Sequence, residues 1–116
     1  MEMERKDNII VKLTLEFALE IIKYSEELQE NKKFVIANQL LKSGTSIGAN
    51  VREAQNAESK QDFIHKFKIA AKEIEETFYW LELCELSEQY PSTQKLKEQL
   101  DNISRIVNKI IITSKT

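Results

Sequence analysis

Apolar residues recur with a helical 3.6-residue period through four separate stretches of this chain, and very little in it favours turning. Only two glycines and one proline occur in 116 residues. A β architecture built from many short strands needs turn residues in numbers this sequence lacks, so an all-α fold is expected.

The spacing predicts a first helix over about 7–30. Leu13, Phe17, Ile21, Tyr24 and Leu28 share one face, and Val11, Leu15, Ala18 and Ile22 share the next. Lys12, Glu16, Glu20, Lys23 and Glu27 form a narrow polar stripe. The apolar arc covers roughly 240°, against ~100° for an ordinary surface helix, so this helix needs cover on two sides. The pattern breaks at "ENKKF", where Asn31 is a candidate N-cap. A second helix is expected over 32–57, with Ile36, Leu40, Gly44, Ile47, Val51 and Ala54 inward. Ser59 and Asp62, three apart, make a near capping box for a third helix over 60–88. Its expected core face is Phe63, Phe67, Ala70, Ile74, Phe78 and Leu81. Pro91 cannot continue a helix, so "YPST" is a break. Ser92 or Thr93 then caps a fourth helix over 93–113, with Leu96, Leu100, Ile103, Val107 and Ile110 inward.

Four helices with short connections predict an up-down-up-down four-helix bundle, one domain over residues 1–116. The apolar run in residues 9–22 is interrupted by Lys12, Glu16 and Glu20, which argues against a membrane span. The charged start "MEMERKDN" does not resemble a signal peptide. With a lone Cys84, no intrachain disulfide can form. These features together give a cytoplasmic reading.

Both glycines, Gly44 and Gly48, fall inside the second helix, where each costs roughly 1 kcal/mol relative to Ala. Four residues apart, they stack on its apolar face beside Ile47. Bare backbone there lets a neighbouring helix approach closely. The expectation is that they make room for bulky Phe side chains at mid-bundle, with a second role for this small-residue surface in docking another subunit. Asn50, at the edge of the face, is expected to hydrogen-bond across a helix interface.

No residue constellation carries a reaction. His65 and Cys84 lie nineteen residues apart on one helix, about 28 Å at 1.5 Å per residue. They cannot form a dyad. One Cys and one His supply too few ligands for zinc. Asp62 and His65 approximate a Glu-x-x-His metal motif, but no paired copy exists. The arginines Arg5, Arg52 and Arg105 are scattered. The reading is a protein that is not an enzyme, with no catalytic residues, no metal, no cofactor and no small-molecule substrate.

The charges carry more. Residues 60–72 hold Lys60, Lys66, Lys68 and Lys72 against one Asp, whereas residues 73–88 hold six Glu and no cation. That order runs against the helix macrodipole, which prefers acids first. Helix stability therefore does not account for it, and an outside partner would. In an up-down bundle the basic end of this helix also gathers Arg52, Arg105, Lys109 and Lys115. Arg52, Lys60, Lys66 and Lys68 are the candidate nucleic-acid contacts, although no aromatic residue is interleaved for base stacking.

The segment from Leu40 to Cys84 resembles a known family. Its pattern is Ser43, Ser46, Ile47, Asn50, Val51 and Glu53, then Ser59, Asp62 and Phe63, then Glu76, Thr77, Tyr79, Trp80 and Leu81. This is similar to the bacterial four-helix-bundle proteins encoded in intervening sequences of 23S rRNA genes. That family includes the accessory variability determinant (Avd) of diversity-generating retroelements. The resemblance implies a bundle that assembles as a ring, a homopentamer in the best-understood relatives. For the retroelement proteins it implies binding to nucleic acid and to a reverse transcriptase. Those relatives are strongly basic, whereas this chain has a net charge of −2.

The resulting expectation is a non-catalytic, homo-oligomeric bundle that serves as a binding or scaffold module. The alternative is a nucleic-acid-binding accessory to a reverse transcriptase. Ile69, Trp80 and Leu83 sit roughly opposite the core face of the third helix and are the expected oligomer interface, with Trp80 as anchor. Glu76, one turn before Trp80, is expected to pair with a cation of the next subunit.

Overall fold

Four helices account for nearly all of the computed structural model, which describes the backbone of residues 2–115 and the side chains of residues 9–115. They are α1 (Glu2–Glu30), α2 (Phe34–Ala54), α3 (Lys60–Leu86) and α4 (Gln94–Ser114). The side chain of Arg5 lies outside the described residues. Each helix packs against its neighbour in sequence, and α4 closes back on α1. Among the described residues the diagonal pairs make no backbone contact. The result is an up-down-up-down bundle 45 × 21 × 19 Å.

The connections explain where the helices end. Asn31 is not an N-cap: its side-chain amide donates to the Glu27 carbonyl, so it belongs to the end of α1. Lys32 adopts φ 63°, and the Lys33 N–H reaches back to the Leu28 carbonyl at 2.8 Å. The Lys32 N–H bonds Gln29 at 2.9 Å. This is a Schellman closure with Lys where Gly is usual. It delays α2 to Phe34, two residues later than the spacing predicts. Ser59 caps α3 as expected, accepting from the Asp62 N–H at 3.0 Å. The reciprocal bond comes from the Glu58 N–H to the Asp62 carboxylate rather than from Ser59 itself. Gln89, with φ 65°, turns the chain after α3. Of the two candidates for α4, Ser92 accepts from the Gln94 N–H, and Thr93 makes no side-chain cap.

The core contains the expected residues with small shifts. Phe17, Ile21 and Leu28 of α1 meet Leu40, Ile47 and Val51 of α2, Phe67, Ile74 and Leu81 of α3, and Leu100, Ile103 and Val107 of α4 in one cluster. Fully burying a side chain of this size contributes about 1.5–3 kcal/mol. Leu13, Ile36, Phe63, Phe78 and Ile110 are only partly buried against it. Ile111 takes the buried place expected for Ile110.

Polar ties fix how the helices sit against one another. Thr77 of α3 and Ser43 of α2 are hydrogen-bonded inside the core at 2.9 Å. The Tyr24 hydroxyl donates to the Pro91 carbonyl at 2.8 Å and pins the α3–α4 connection onto α1. Glu20 bonds Lys95 at 3.1 Å, which links α1 to α4. Among the described residues no helix is long and apolar enough to cross a membrane.

Candidate functional site

Gly44 and Gly48 line the seam between α1 and α2, not a space for aromatic rings. A Cβ on Gly44 would lie 2.9 Å from Cγ1 and Cγ2 of Ile21, and one on Gly48 would lie 3.3 Å from the Thr14 hydroxyl oxygen. The expected Phe neighbours are thus replaced by an Ile and a Thr of α1. Both are β-branched, and their stiff, bulky Cβ atoms sit close to the backbone of their own helix. A facing glycine is what allows the two backbones to close on them. Ile47 is buried beside the glycines, in the core. The Asn50 amide does not bond across an interface. It donates to the Ser46 carbonyl one turn earlier in its own helix, at 2.9 Å.

Outside this seam runs a shallow groove lined by Val11, Thr14, Leu15, Ala18, Thr45, Gly48, Ala49 and Arg52. Its floor is built from small side chains. Beside it α1 presents Leu15 at 50%, Leu19 at 53% and Ile22 at 37% exposure. The 240° apolar arc of α1 is therefore half used by the core and half open. Leu19 belongs to this surface and was absent from the expected face. Its position 100° per residue around from Leu15 and Ile22 was the available signal.

The outer face of α3 is less exposed than expected. Ile69 and Trp80 are both half-buried, and Trp80 packs against the core cluster. Its indole N–H is buried with no hydrogen-bond partner. Leu83 is 37% exposed. Glu76 is exposed. The structure adds Tyr79, which is exposed and stacks edge-on against Trp80 with ring centroids 5.2 Å apart. Leu86, one turn past Leu83, is also exposed. Glu73 joins this face: burial raises its carboxyl above the ordinary range, and the neighbouring Glu76 adds to that.

The bundle topology brings the candidate cations Arg52, Lys60, Lys66 and Lys68 to one end, with the C-terminal end of α4. Arg52, Lys60 and Lys68 are exposed. Lys66 is already engaged with Glu53 at 3.0 Å, and that hydrogen bond raises its ammonium pKa. At the other end, a wider cleft of about 500 Å³ lies between α3 and α4, reaching from Cys84 to Asp101. Lys97 bonds Glu85 there at 2.7 Å. Cys84 is buried, and burial pushes its thiol up. Tyr24 beside it is pushed up too, first by burial and then by Cys84. A thiol held protonated in this way is a poor nucleophile. His65 is exposed on α3. Among the described residues no group of three or more His, Cys, Asp or Glu could hold a metal ion.

The fold and these surfaces define a small helical-bundle protein whose distinctive features lie on its outside. The 23S rRNA-intervening sequence protein family matches residues 6–109, and the chain belongs to that family. It is similar to a protein of unknown function from the S23 ribosomal protein family of Bacteroides thetaiotaomicron VPI-5482, known from its crystal structure. The two are 44% identical over 91% of this chain and 97% of that one, with a TM-score of 0.85. No curated protein matches the chain.

Proposed function

We propose that the protein is a non-catalytic scaffold that works as an oligomer of identical chains in the cytoplasm. The observation that carries this reading is the open half of the α1 apolar arc, Leu15, Leu19 and Ile22. The bundle core is filled without them. Scattered exposed apolar residues are ordinary, but these form one i, i+4, i+7 stripe whose first member, Leu15, lines the groove. The ring expected from the family resemblance supplies a natural cover. Sedimentation equilibrium at micromolar concentration tests the reading. An oligomer is expected, and a monomer overturns it.

A second reading is supported by the cations at one end. In it the protein binds nucleic acid as an accessory to a reverse transcriptase through Arg52, Lys60 and Lys68, with Lys66 weakened as a contact by Glu53. Expected binding is weak, and removing one cation that neutralises a phosphate reduces the slope of log affinity against log salt by about one. Affinity measured at two salt concentrations, for the native chain and for Lys60→Glu with Lys68→Glu, decides it. Tight binding that ignores both salt and the substitutions would rule these residues out.

A further inference from the structure

We infer that the groove between α1 and α2 is the socket for the outer face of α3 of a second copy of this chain, with Arg52 of one copy against Glu73 of the next. This rests on the self-association proposed above and names its two surfaces.

The first argument is position around the bundle. The groove opens on the side shared by α1 and α2. Glu73 lies on the side shared by α2 and α3, where Lys42 of α2 acts on its charge. These are adjacent sides of a four-helix square, facing about 90° apart. Two such patches meet face to face when copies are related by about a quarter turn or slightly less. Repeating that rotation closes a small ring, whereas patches on opposite sides would build an open filament.

The second argument is height along the bundle. Gly44 against Ile21 and Gly48 against Thr14 set the register of α1 on α2. Ser43 bonded to Thr77 sets that of α2 on α3. Counting from these contacts at 1.5 Å per residue, Val11 through Ile22 stand level with the stretch from Phe67 to Tyr79, to within about one turn. In a ring of parallel bundles, equal heights meet. Ile69 then comes opposite Val11 and Leu15 at the groove, and Tyr79 and Trp80 come opposite Leu19 and Ile22. Apolar side chains face apolar side chains at both ends of the contact, with Glu73 and Glu76 between them.

The third argument is charge. Among the described residues no carboxylate pairs with Arg52 at the groove's edge. Glu73 is about one turn further along in height, within reach of an arginine side chain. It is half-buried, next to Glu76, and its carboxylate is disfavoured there. A guanidinium from outside would relieve both charges, and it would fix the register of the contact.

The test is sedimentation equilibrium on the native chain and four variants, each checked for helicity by circular dichroism. Leu19→Asp changes an exposed residue of the α1 apolar stripe beside the groove, where the partner's Tyr79 and Trp80 would land. Arg52→Glu and Glu73→Lys reverse the paired charges singly, and the fourth variant combines them. We expect a native oligomer whose dissociation constant rises roughly tenfold or more in each single variant and returns towards the native value in the double reversal. A native monomer overturns this inference together with the self-association it rests on. An oligomer that ignores Leu19→Asp, or single reversals that the double variant does not rescue, overturns the socket alone and leaves self-association standing.

Discussion

Thr77 and Ser43 share a hydrogen bond of 2.9 Å between α3 and α2, inside the hydrophobic core. Thr77 also donates to the Glu73 carbonyl at 2.7 Å, so the proton between the two hydroxyls comes from Ser43. Both side chains are essentially buried. Two apolar residues at these places would pack, but they would not set the sliding register of α2 on α3. A buried donor–acceptor pair penalises every other register, because each slip leaves a polar group unsatisfied.

Thr77→Val therefore removes the acceptor and leaves the Ser43 hydroxyl without its partner in the core. The expected loss is about 1–3 kcal/mol. Ser43→Ala together with Thr77→Val removes both ends, and the double variant should lose less than the two single variants added. Urea denaturation of all four proteins measures the coupling. Additive losses would mean that the hydrogen bond contributes nothing of its own.

The two glycines predict different outcomes for the same substitution. Alanine returns roughly 1 kcal/mol of helix propensity at either site. At Gly44 its Cβ would meet both Cγ atoms of Ile21 at 2.9 Å, and a buried β-branched side chain cannot swing away. Overpacking of this kind costs ~1–3 kcal/mol, so Gly44→Ala is expected to lower the melting temperature and Gly44→Leu to lower it further. At Gly48 the closest atom is the Thr14 hydroxyl oxygen at 3.3 Å, a contact that tenths of an ångström relieve. Gly48→Ala should be close to neutral. A higher melting temperature for Gly44→Ala would remove the close α1–α2 approach as the reason for the glycine.

The inward faces of all four helices were legible because burial follows period, and period is a property of sequence. Phe17, Leu40, Phe67 and Leu100 needed no structure to be assigned to the core. The capping role of Ser59 was equally legible, because it depends only on neighbours three residues away. What the sequence hid were relations between helices. Nothing local says that Gly44 faces Ile21 rather than a Phe, because that depends on how α1 and α2 rotate against each other. Asn50 looked free to bridge helices, yet its own backbone offered the Ser46 carbonyl first. Trp80 looked exposed because it lies off the core face, but an indole is wide enough to reach back to the core cluster. The candidate site was legible as surplus apolar surface on α1. The groove beside it was not, because it is formed jointly with Thr45, Ala49 and Arg52 of α2.

The α1–α4 contact should be sensitive to acid. Glu20 accepts from Lys95 at 3.1 Å, and that hydrogen bond, with further help from Lys23, holds its carboxyl below the ordinary value. A carboxyl lowered in the folded state releases its proton more easily there than in the unfolded chain. Its contribution is complete above the unfolded value near 4.5 and is lost as pH falls through the lower folded value. Lys95→Gln should therefore melt earlier than the native chain at neutral pH and converge with it in acid. A constant gap down to low pH would mean that Lys95 acts by packing alone.

The alkaline limb should report on Tyr24. Its hydroxyl donates to the Pro91 carbonyl at 2.8 Å and is the tie between α1 and the α3–α4 connection. Burial raises its pKa, and the nearby Cys84 raises it further. A phenol raised in the folded state keeps its proton there while the unfolded chain loses it. Its contribution is therefore full below the unfolded value near 10 and declines as pH rises beyond that value. Tyr24→Phe keeps the ring and removes the donor, leaving the Pro91 carbonyl without this partner. The expected loss near neutral pH is about 0.5–1.5 kcal/mol. The gap to the native chain should narrow above pH 10, where unfolding frees the phenol to ionise. Denaturant midpoints of the two proteins, followed from neutral pH into the alkaline range, test this. A gap that is absent at neutral pH would show that the connection is held by packing, and one that stays constant through the alkaline range would show that the hydroxyl is not the group that ionises on unfolding.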